Sequence, residues 1–289
     1  MPELPEVETV RRGLSRLIIG KTIVTAENDT PKSFPNTATD VQEFLIQSSV
    51  TVVRRRAKVL LIDLDTAYTL VIHLKMTGQL VYVGSERFGA GHPNESLVAE
   101  LPDRSTRVTL VFNDGSKLFF NDQRKFGWMK LFLTLEVPNI NFMQRVGPEP
   151  LEDDFTPEQF AQRFTRRART TIKAALLDQT VVAGVGNIYA DESLWGAKIH
   201  PKRLVASVTR DEFHTLYHEL RAVMNMAIEK GGSTDKNYVN AEGKRGSYLD
   251  FARVFRREGK ACPRCGTEII KFRTAGRGTH VCPICQIEE

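Results

Sequence analysis

Between residues 50 and 133 the chain carries seven short runs of β-branched, aliphatic and aromatic residues. They are Val50–Val53, Val59–Leu64, Thr69–Leu74, Leu80–Val83, Val108–Phe112, Lys117–Phe120 and Met129–Leu133. Turn residues separate them, and Asn113-Asp-Gly-Ser116 between two of the runs is a hairpin signal. Seven short strands with turn residues between them argue for a β-sandwich or barrel. The glycine-, proline- and asparagine-containing stretch from Gly84 to Asp103 breaks the pattern and reads as a mobile surface loop.

A helix precedes this region. Leu4, Val7, Val10, Leu14, Leu17 and Ile18 recur at helical spacing with Arg11, Arg12 and Arg16 between them. Met1-Pro2-Glu3-Leu4-Pro5-Glu6 in front of it is ordinary first-turn chemistry, because proline and acidic residues suit a helix start. The same residues also permit a reaction. Removal of Met1 would turn Pro2 into a secondary α-amine with a pKa of roughly 8, partly neutral at physiological pH and able to form an imine with an aldehyde-level carbon. Glu3 lies beside it.

From Thr156 to Lys230 the period becomes helical. Thr156-Pro157-Glu158 is a capped start, Phe160 and Phe164 share a face, and Ile172, Ala175, Leu176, Tyr189, Leu194, Leu216, Leu220, Val223 and Ile228 continue the character. The change divides the chain into a β domain at 1–134, a proline-rich linker at 135–150, a helical domain at 151–240 and a C-terminal segment at 241–289. The overall class is α+β.

All four cysteines lie in that last segment, as Cys262-Pro-Arg-Cys265 and Cys282-Pro-Ile-Cys285 with sixteen residues between the pairs. This spacing predicts one structural Zn²⁺ held by four thiolates; disulfides are the alternative. Ile269–Phe272 and His280–Cys282 flank Ala275-Gly-Arg-Gly278, a hairpin tipped by Arg277. From Lys244 onward ten basic residues face five acidic ones, which accounts for the whole net charge of +5 and, with a pI near 9.0, points to an anionic partner. No apolar run approaches the roughly 20 residues that cross a bilayer, and the N-terminus is unlike a signal peptide, so a cytoplasmic protein is expected.

Three further stretches have two readings each. Arg54-Arg-Arg-Ala-Lys58 is a solvated basic strand end or, since Arg54, Arg56 and Lys58 alternate onto one face, a phosphate track. Gly184-Val-Gly-Asn187 is a flexible interhelical turn or a set of backbone N–H groups for a phosphate. In Asn121-Asp-Gln-Arg-Lys-Phe-Gly127, Phe126 is a core residue or an apolar wedge beside Arg124.

Together these motifs resemble the bacterial formamidopyrimidine-DNA glycosylase family. The resemblance runs nearly end to end, through Met1–Val10, Arg55–Lys58, His73-Leu-Lys-Met-Thr-Gly78, Asp122–Gly127, Gly184-Val-Gly-Asn-Ile-Tyr189, Gly231–Thr234 and Gly276-Arg-Gly-Thr-His280. It implies an N-terminal β-sandwich with a leading helix, then a helix-two-turn-helix domain with a β-hairpin zinc finger, and DNA in a basic cleft. It also implies a bifunctional repair enzyme that flips an oxidised purine, 8-oxoguanine or a formamidopyrimidine, out of duplex DNA. By this resemblance Pro2 attacks C1′, Glu3 is the acid/base partner in sugar opening, and Lys58 and Arg277 serve β- and δ-elimination. Met76, Arg124 and Phe126 match the trio that fills the vacated stack and probes the opposite cytosine; Asn187 resembles a backbone phosphate ligand, and His73 and Arg169 match further DNA contacts. The Gly231–Gly246 region corresponds to a loop over the everted base. A monomer is expected.

The chain departs from the family pattern in three places. Arg104-Ser-Thr-Arg107 stands where a Lys-His-x-His run is usual, so one histidine phosphate contact is either lost or taken over by arginine, with Arg107 as the DNA-binding candidate. Phe255 replaces a tyrosine and has no hydroxyl to donate. The Gly84–Asp103 segment is about a dozen residues longer, an insertion of small cost. Two rival readings are an endonuclease VIII-like enzyme for oxidised pyrimidines and a non-catalytic zinc-ribbon DNA-binding protein.

Overall fold

The computed structural model describes residues 1–233 and 248–288, in two compact units. The first takes in Met1–Gln144 and Lys230–Ser247; the second takes in Arg145–Glu229 and Tyr248–Glu289.

The first unit opens with helix α1 (Leu4–Ile18), whose six periodic apolar residues are all buried. Fully burying side chains of this kind contributes roughly 1.5–3 kcal/mol each, so the stripe fixes which face turns inward. Strand β1 (Ile23–Asn28) and a helical turn α2 (Ala38–Asp40) follow. Then come β2 (Val50–Arg56), β3 (Val59–Leu64), β4 (Tyr68–His73), β5 (Gly78–Val83), β6 (Arg87–Gly91), β7 (Thr106–Phe112), β8 (Lys117–Asp122) and β9 (Trp128–Leu133). They form two antiparallel sheets, β1-β7-β8-β5-β6 and β2-β3-β4-β9. Inward residues of both sheets, including Leu60, Ile62, Leu80, Tyr82, Leu110 and Phe120, share one core with α1. This is the expected sandwich.

Strand β3 is apolar on both faces for a physical reason. Leu60 and Ile62 enter the main core, while Val59 and Leu61 are covered by Val137, Phe132 and Phe142 on the other side. Val137 belongs to a 3₁₀ turn (Thr134–Asn139), and α3 (Asn141–Arg145) follows. The 135–150 stretch thus packs on the sheet through part of its length.

The Gly84–Asp103 segment is not the loop the sequence suggested. Strand β6 pairs antiparallel with β5 across five residues, and Phe88 and Ala90 are buried. Leu97, in a 3₁₀ turn, covers Val81 and Phe119 on the outer face. The signal was hidden because Arg87-Phe-Gly-Ala-Gly91 contains two glycines and is too short to display a period. Gly13 of α1 explains the tight fit, since a Cβ there would lie 2.1 Å from the Phe88 ring. Strand β1 lies outside the seven runs, although Thr22-Ile-Val-Thr25 at its start is β-branched throughout.

The second unit contains α4 (Pro157–Phe164), α5 (Ile172–Leu177), α6 (Asn187–Gly196), α7 (Arg210–Glu229) and the hairpin β10 (Ile270–Thr274) and β11 (Arg277–Val281). Thr156 caps α4 through a capping box with Gln159. Phe160 and Phe164 pack among Phe155, Phe213 and Tyr217. The turn joining α5 to α6 is tied by Gln179, whose amide donates to Leu177 and Val185 carbonyls and accepts from Gly184 N–H. Ala275 and Gly276 both have positive φ (50° and 68°), the signature of a two-residue hairpin turn, and Arg277 is the first residue after it.

Candidate functional site

Pro2 and Glu3 stand at the head of α1, and both are buried. Glu3 is the helix N-cap in a capping box: Glu6 Oε2 accepts from Glu3 N–H at 2.7 Å. The second oxygen of Glu6 accepts from Ser233 N–H, also at 2.7 Å, and Gly232 (φ +90°) leaves the space that the Glu6 side chain fills. The first turn is therefore held by a buried carboxylate that also anchors the start of the 231–246 region. Residues 234–246 lie outside the described ones. One turn further on, Glu8 takes hydrogen bonds from Arg11, Arg12 and Arg55. Burial acts to raise its carboxyl pKa, but these guanidinium groups override it and hold it below the ordinary value.

Lys58 does not share a strand face with Arg54 and Arg56. Strand β2 ends at Arg56, and Ala57 (φ 52°) and Lys58 form the two-residue turn into β3. Arg54 is engaged by Asp63 at 2.5 and 2.7 Å. The proposed phosphate track of Arg54, Arg56 and Lys58 is thereby broken up, since alternation stops where the hairpin turns. Lys58 is 6% exposed and near enough to act on His73, which pairs with the next residue, Val59.

His73 closes β4, with its ring near Trp128 and Phe142. Burial, with Lys75 and Lys58 nearby, pushes its pKa down to about 3. Its Nδ1 accepts from Lys75 N–H at 3.1 Å, which assigns the proton to Nε2. A neutral imidazole with a fixed N–H is a hydrogen-bond donor that keeps its form across physiological pH.

Met76 and the Arg124–Phe126 pair occupy two turns joined by one acid. Asp122 Oδ2 accepts from Phe126 and Gly127 N–H at 2.8 and 2.7 Å, while Oδ1 accepts from Arg124 N–H and the Thr77 hydroxyl. This network fixes the backbone and pushes Phe126 outward, 43% exposed, with the Arg124 guanidinium 4.7 Å from its ring centre. Phe126 is not a core residue. Its geometry suits a wedge, and a cation stacked on an exposed ring costs little to unstack.

Arg107 requires a correction. Its guanidinium is 6% exposed and donates to the carbonyls of Asp122 (2.8 Å) and Arg104 (2.7 Å) and to Asp29. Held at the β7 bulge between Thr106 and Val108, it braces the Asp122 turn, and its guanidinium is engaged by protein acceptors. Ser105 is likewise buried, bonded to Asp103.

In the second unit, Asn187 begins α6 and its Nδ2 donates to the Gly278 carbonyl at 2.9 Å, which sets it beside the hairpin residue next to Arg277. Arg277 and Arg169 are exposed. Beneath them Lys173 and Asp191 form a fully buried ion pair at 2.6 Å. Lys173 also donates to the Thr279 hydroxyl at 2.7 Å, and Asp191 accepts from His280 N–H at 3.0 Å. Glu192, equally buried, accepts from the N–H groups of Arg253, Val254 and Phe255 and from the Tyr248 hydroxyl. Phe255 packs against His280.

The four cysteine Sγ atoms lie within 4.8 Å of one another, with Cys265–Cys282 at 3.4 Å and Cys262–Cys285 at 4.0 Å. Tetrahedral Zn–S bonds of about 2.3 Å require sulfurs about 3.8 Å apart. Arg264 and Cys285 N–H groups point at Cys262 and Cys282 sulfur, as thiolate ligands favour. The residues fit one structural Zn²⁺, and no disulfide joins them.

Three family models match in order along the chain. They are the formamidopyrimidine-DNA glycosylase N-terminal domain over residues 1–129, its H2TH domain over 146–238, and the zinc finger found in FPG and IleRS over 259–287. A formamidopyrimidine-DNA glycosylase of Herpetosiphon aurantiacus is 44% identical over 99% of this chain and 100% of its own. The chain belongs to the formamidopyrimidine-DNA glycosylase family. Among solved structures, a Lactococcus lactis Fpg mutant complexed with Fapy-dG-containing DNA superposes with a TM-score of 0.87 at 33% identity, covering 99% of this chain and 100% of that one. The wild-type Lactococcus lactis protein with DNA containing an oxidised pyrimidine gives 0.85 at 34% identity over the same shares of the two chains.

The residue pattern gives no sign of Lys173, Asp191 and Glu192, and places Glu6 and Asp122 in motifs without revealing their bonds. They are acids and a lysine that look like ordinary surface residues until partners distant in sequence are known. Only the Asp122-to-Gly127 spacing, which suits an acid capping its own turn, was available as a signal.

Proposed function

We propose that this chain is a base-excision DNA glycosylase and AP lyase that removes oxidised purines from duplex DNA. The observation that carries it is Pro2 at a buried helix start with Glu3 as N-cap, in a chain matched end to end by the glycosylase family. Once Met1 is removed, the adjoining helix start disfavours the protonated amine and leaves more of it as the nucleophile. Attack of its lone pair on C1′ displaces the base, and Glu3 moves a proton at the ring oxygen as the sugar opens to an imine. The imine acidifies the C2′ proton; its loss expels the 3′ phosphate, and a second elimination expels the 5′ phosphate.

In this reading Lys58 and Arg277 handle the two eliminations, while Met76, Arg124 and Phe126 occupy the emptied stack. His73, Arg169 and Asn187 meet phosphate, and Arg107 is left out of the set. Bound zinc supplies no chemistry of its own; it holds the hairpin that carries Arg277. The protein acts as a cytoplasmic monomer on DNA; among the described residues no helix is long and apolar enough to cross a membrane. Oxidised pyrimidines form a second reading, favoured only by the Lactococcus lactis complex with such DNA.

Borohydride trapping tests the proposal. With duplex carrying 8-oxoguanine opposite cytosine, reduction should yield a covalent adduct whose peptide map ends in Pro2, and an N-terminally blocked sample should give none. An adduct with an oxidised pyrimidine alone would move the protein to the second reading. Tight binding without any adduct would leave a non-catalytic DNA-binding protein.

A further inference from the structure

A hollow of about 640 Å³ in the helical unit is walled by four arginines and by none of the residues assigned above to the reaction or to DNA. Arg145 comes from the end of α3, Arg163 from α4, and Arg166 and Arg167 from the 3₁₀ turn that follows (Thr165–Arg167). Two of the four have structural employment. Arg163 donates to the carbonyls of Val181 (3.2 Å) and Thr180 (2.6 Å), and Arg167 pairs with Asp178 at 2.5 Å. These bonds fix the wall. Arg145 and Arg166 are exposed, and among the described residues neither meets a carboxylate or a carbonyl.

Arginines at helix ends commonly satisfy terminal carbonyls, which would make the cluster a folding device. Arg163 serves carbonyls in that way and Arg167 pairs with Asp178; Arg145 and Arg166 do neither. Among the described lining residues there is no acid, and Asp178 is paired with Arg167. The remaining lining is largely polar, with Thr165 and Thr180 hydroxyls and Val181 as its apolar member. A protein partner would need aromatic or aliphatic anchor sites, which this surface lacks. Forked donors around an open, polar hollow match phosphate oxygens.

We infer that this hollow is an additional phosphate-binding surface for the DNA backbone, with Arg145 and Arg166 as its ligands. The inference rests on the proposed function, because it takes DNA as the polyanion. It extends the protein's hold on DNA beyond the residues that handle the lesion and raises affinity for duplex of any sequence.

The test measures binding of undamaged duplex by full-length, zinc-loaded protein over a range of salt. For R145A/R166A the affinity at low salt should fall several-fold. The slope of log K against log salt should become shallower by about 0.9 for each phosphate no longer neutralised, or about 2 for both. R145K/R166K, which keeps the charges, should retain most of the slope. Thermal unfolding of the alanine variant should match the parent, since neither side chain holds a partner in the fold. A slope unchanged in R145A/R166A overturns the inference, as does loss of binding to polyglutamate with duplex binding intact. Failure of the unaltered protein to bind duplex or form the imine would instead defeat the proposed function.

Discussion

The sandwich and the zinc hairpin solve the same problem with different materials. In the sandwich, 27 buried apolar residues from α1 and both sheets form one cluster, and charged groups work at its margins. Around the hairpin the corresponding cluster holds five residues, two of them cysteines. What is missing in apolar area is supplied by four thiolates and by Lys173, Asp191 and Glu192, all three with no exposed surface. A segment this small cannot bury enough surface to fold by itself. The comparison teaches that the sandwich should tolerate shape changes gradually, whereas the hairpin should depend on a few charged atoms.

The largest expected effect follows from removing the metal. Cys262→Ser should reduce zinc content from one per chain to none and abolish measurable duplex binding, because ligand binding and local folding are one equilibrium. The sandwich should keep its own unfolding transition. Normal duplex binding by a metal-free variant would erase the contrast between the two regions.

The buried ion pair sharpens it. Asp191→Asn leaves the Lys173 ammonium without its charge partner in a dry site, which should cost about 3–5 kcal/mol. The cost should be read in hydrogen exchange of the hairpin amides. Leu60→Ala in the sandwich should cost a comparable 2–5 kcal/mol, roughly, by opening a cavity. The two differ in rescue: an apolar pair, Lys173→Met with Asp191→Leu, should recover much of the first loss, since well-packed apolar residues can replace a buried pair. If the double variant is no better than Asp191→Asn, the network is doing more than neutralising a buried charge.

These two regions also differ in how far they can be read from the chain. Strand β3 is legible to its end residues because Val59–Leu64 is apolar on both faces, and α1 because its buried stripe is unbroken. The cysteine spacing foretells the four-sulfur cluster. By contrast, Asp191 and Glu192 sit in the middle of α6, where adjacent acids ordinarily face water; Lys173 is 18 positions from Asp191, and partners such as Arg253 and His280 are 61 and 89 away. Local periodicity carries no trace of such contacts. Arg107 misleads for the same reason: an arginine at the start of a strand looks like a surface cation until Asp29, Arg104 and Asp122 are folded around it.

Phe126 and its Asp122-braced turn provide a smaller effect with a distinct signature. Phe126→Ala removes an exposed ring and should leave stability unchanged. Excision from duplex should slow about tenfold, about 1.4 kcal/mol of barrier, with strand cleavage at a preformed abasic site less affected. Equal slowing of both steps would deny the ring a role in opening the stack.

At neutral pH the smallest effect concerns His73, whose burial ties the sandwich to pH and tells only in acid. Its imidazole is neutral when folded down to about pH 3, whereas in the unfolded chain it takes up a proton near pH 6.5. Between those values the unfolded state binds more protons, so stability rises with pH. The contribution is complete above pH 6.5 and is lost progressively as pH falls toward 3, with a slope of at most about 1.4 kcal/mol per pH unit. His73→Asn should flatten the unfolding free energy by that increment over the acid range and leave the neutral slope alone. Imidazole ¹⁵N shifts supply the direct reading: a proton fixed on Nε2, unmoved from about pH 8 to about pH 5, is expected. A midpoint near 6.5 would mean that the ring is solvated and takes up its proton in the folded state, and the sandwich would then carry, like the hairpin, an electrostatic weak point.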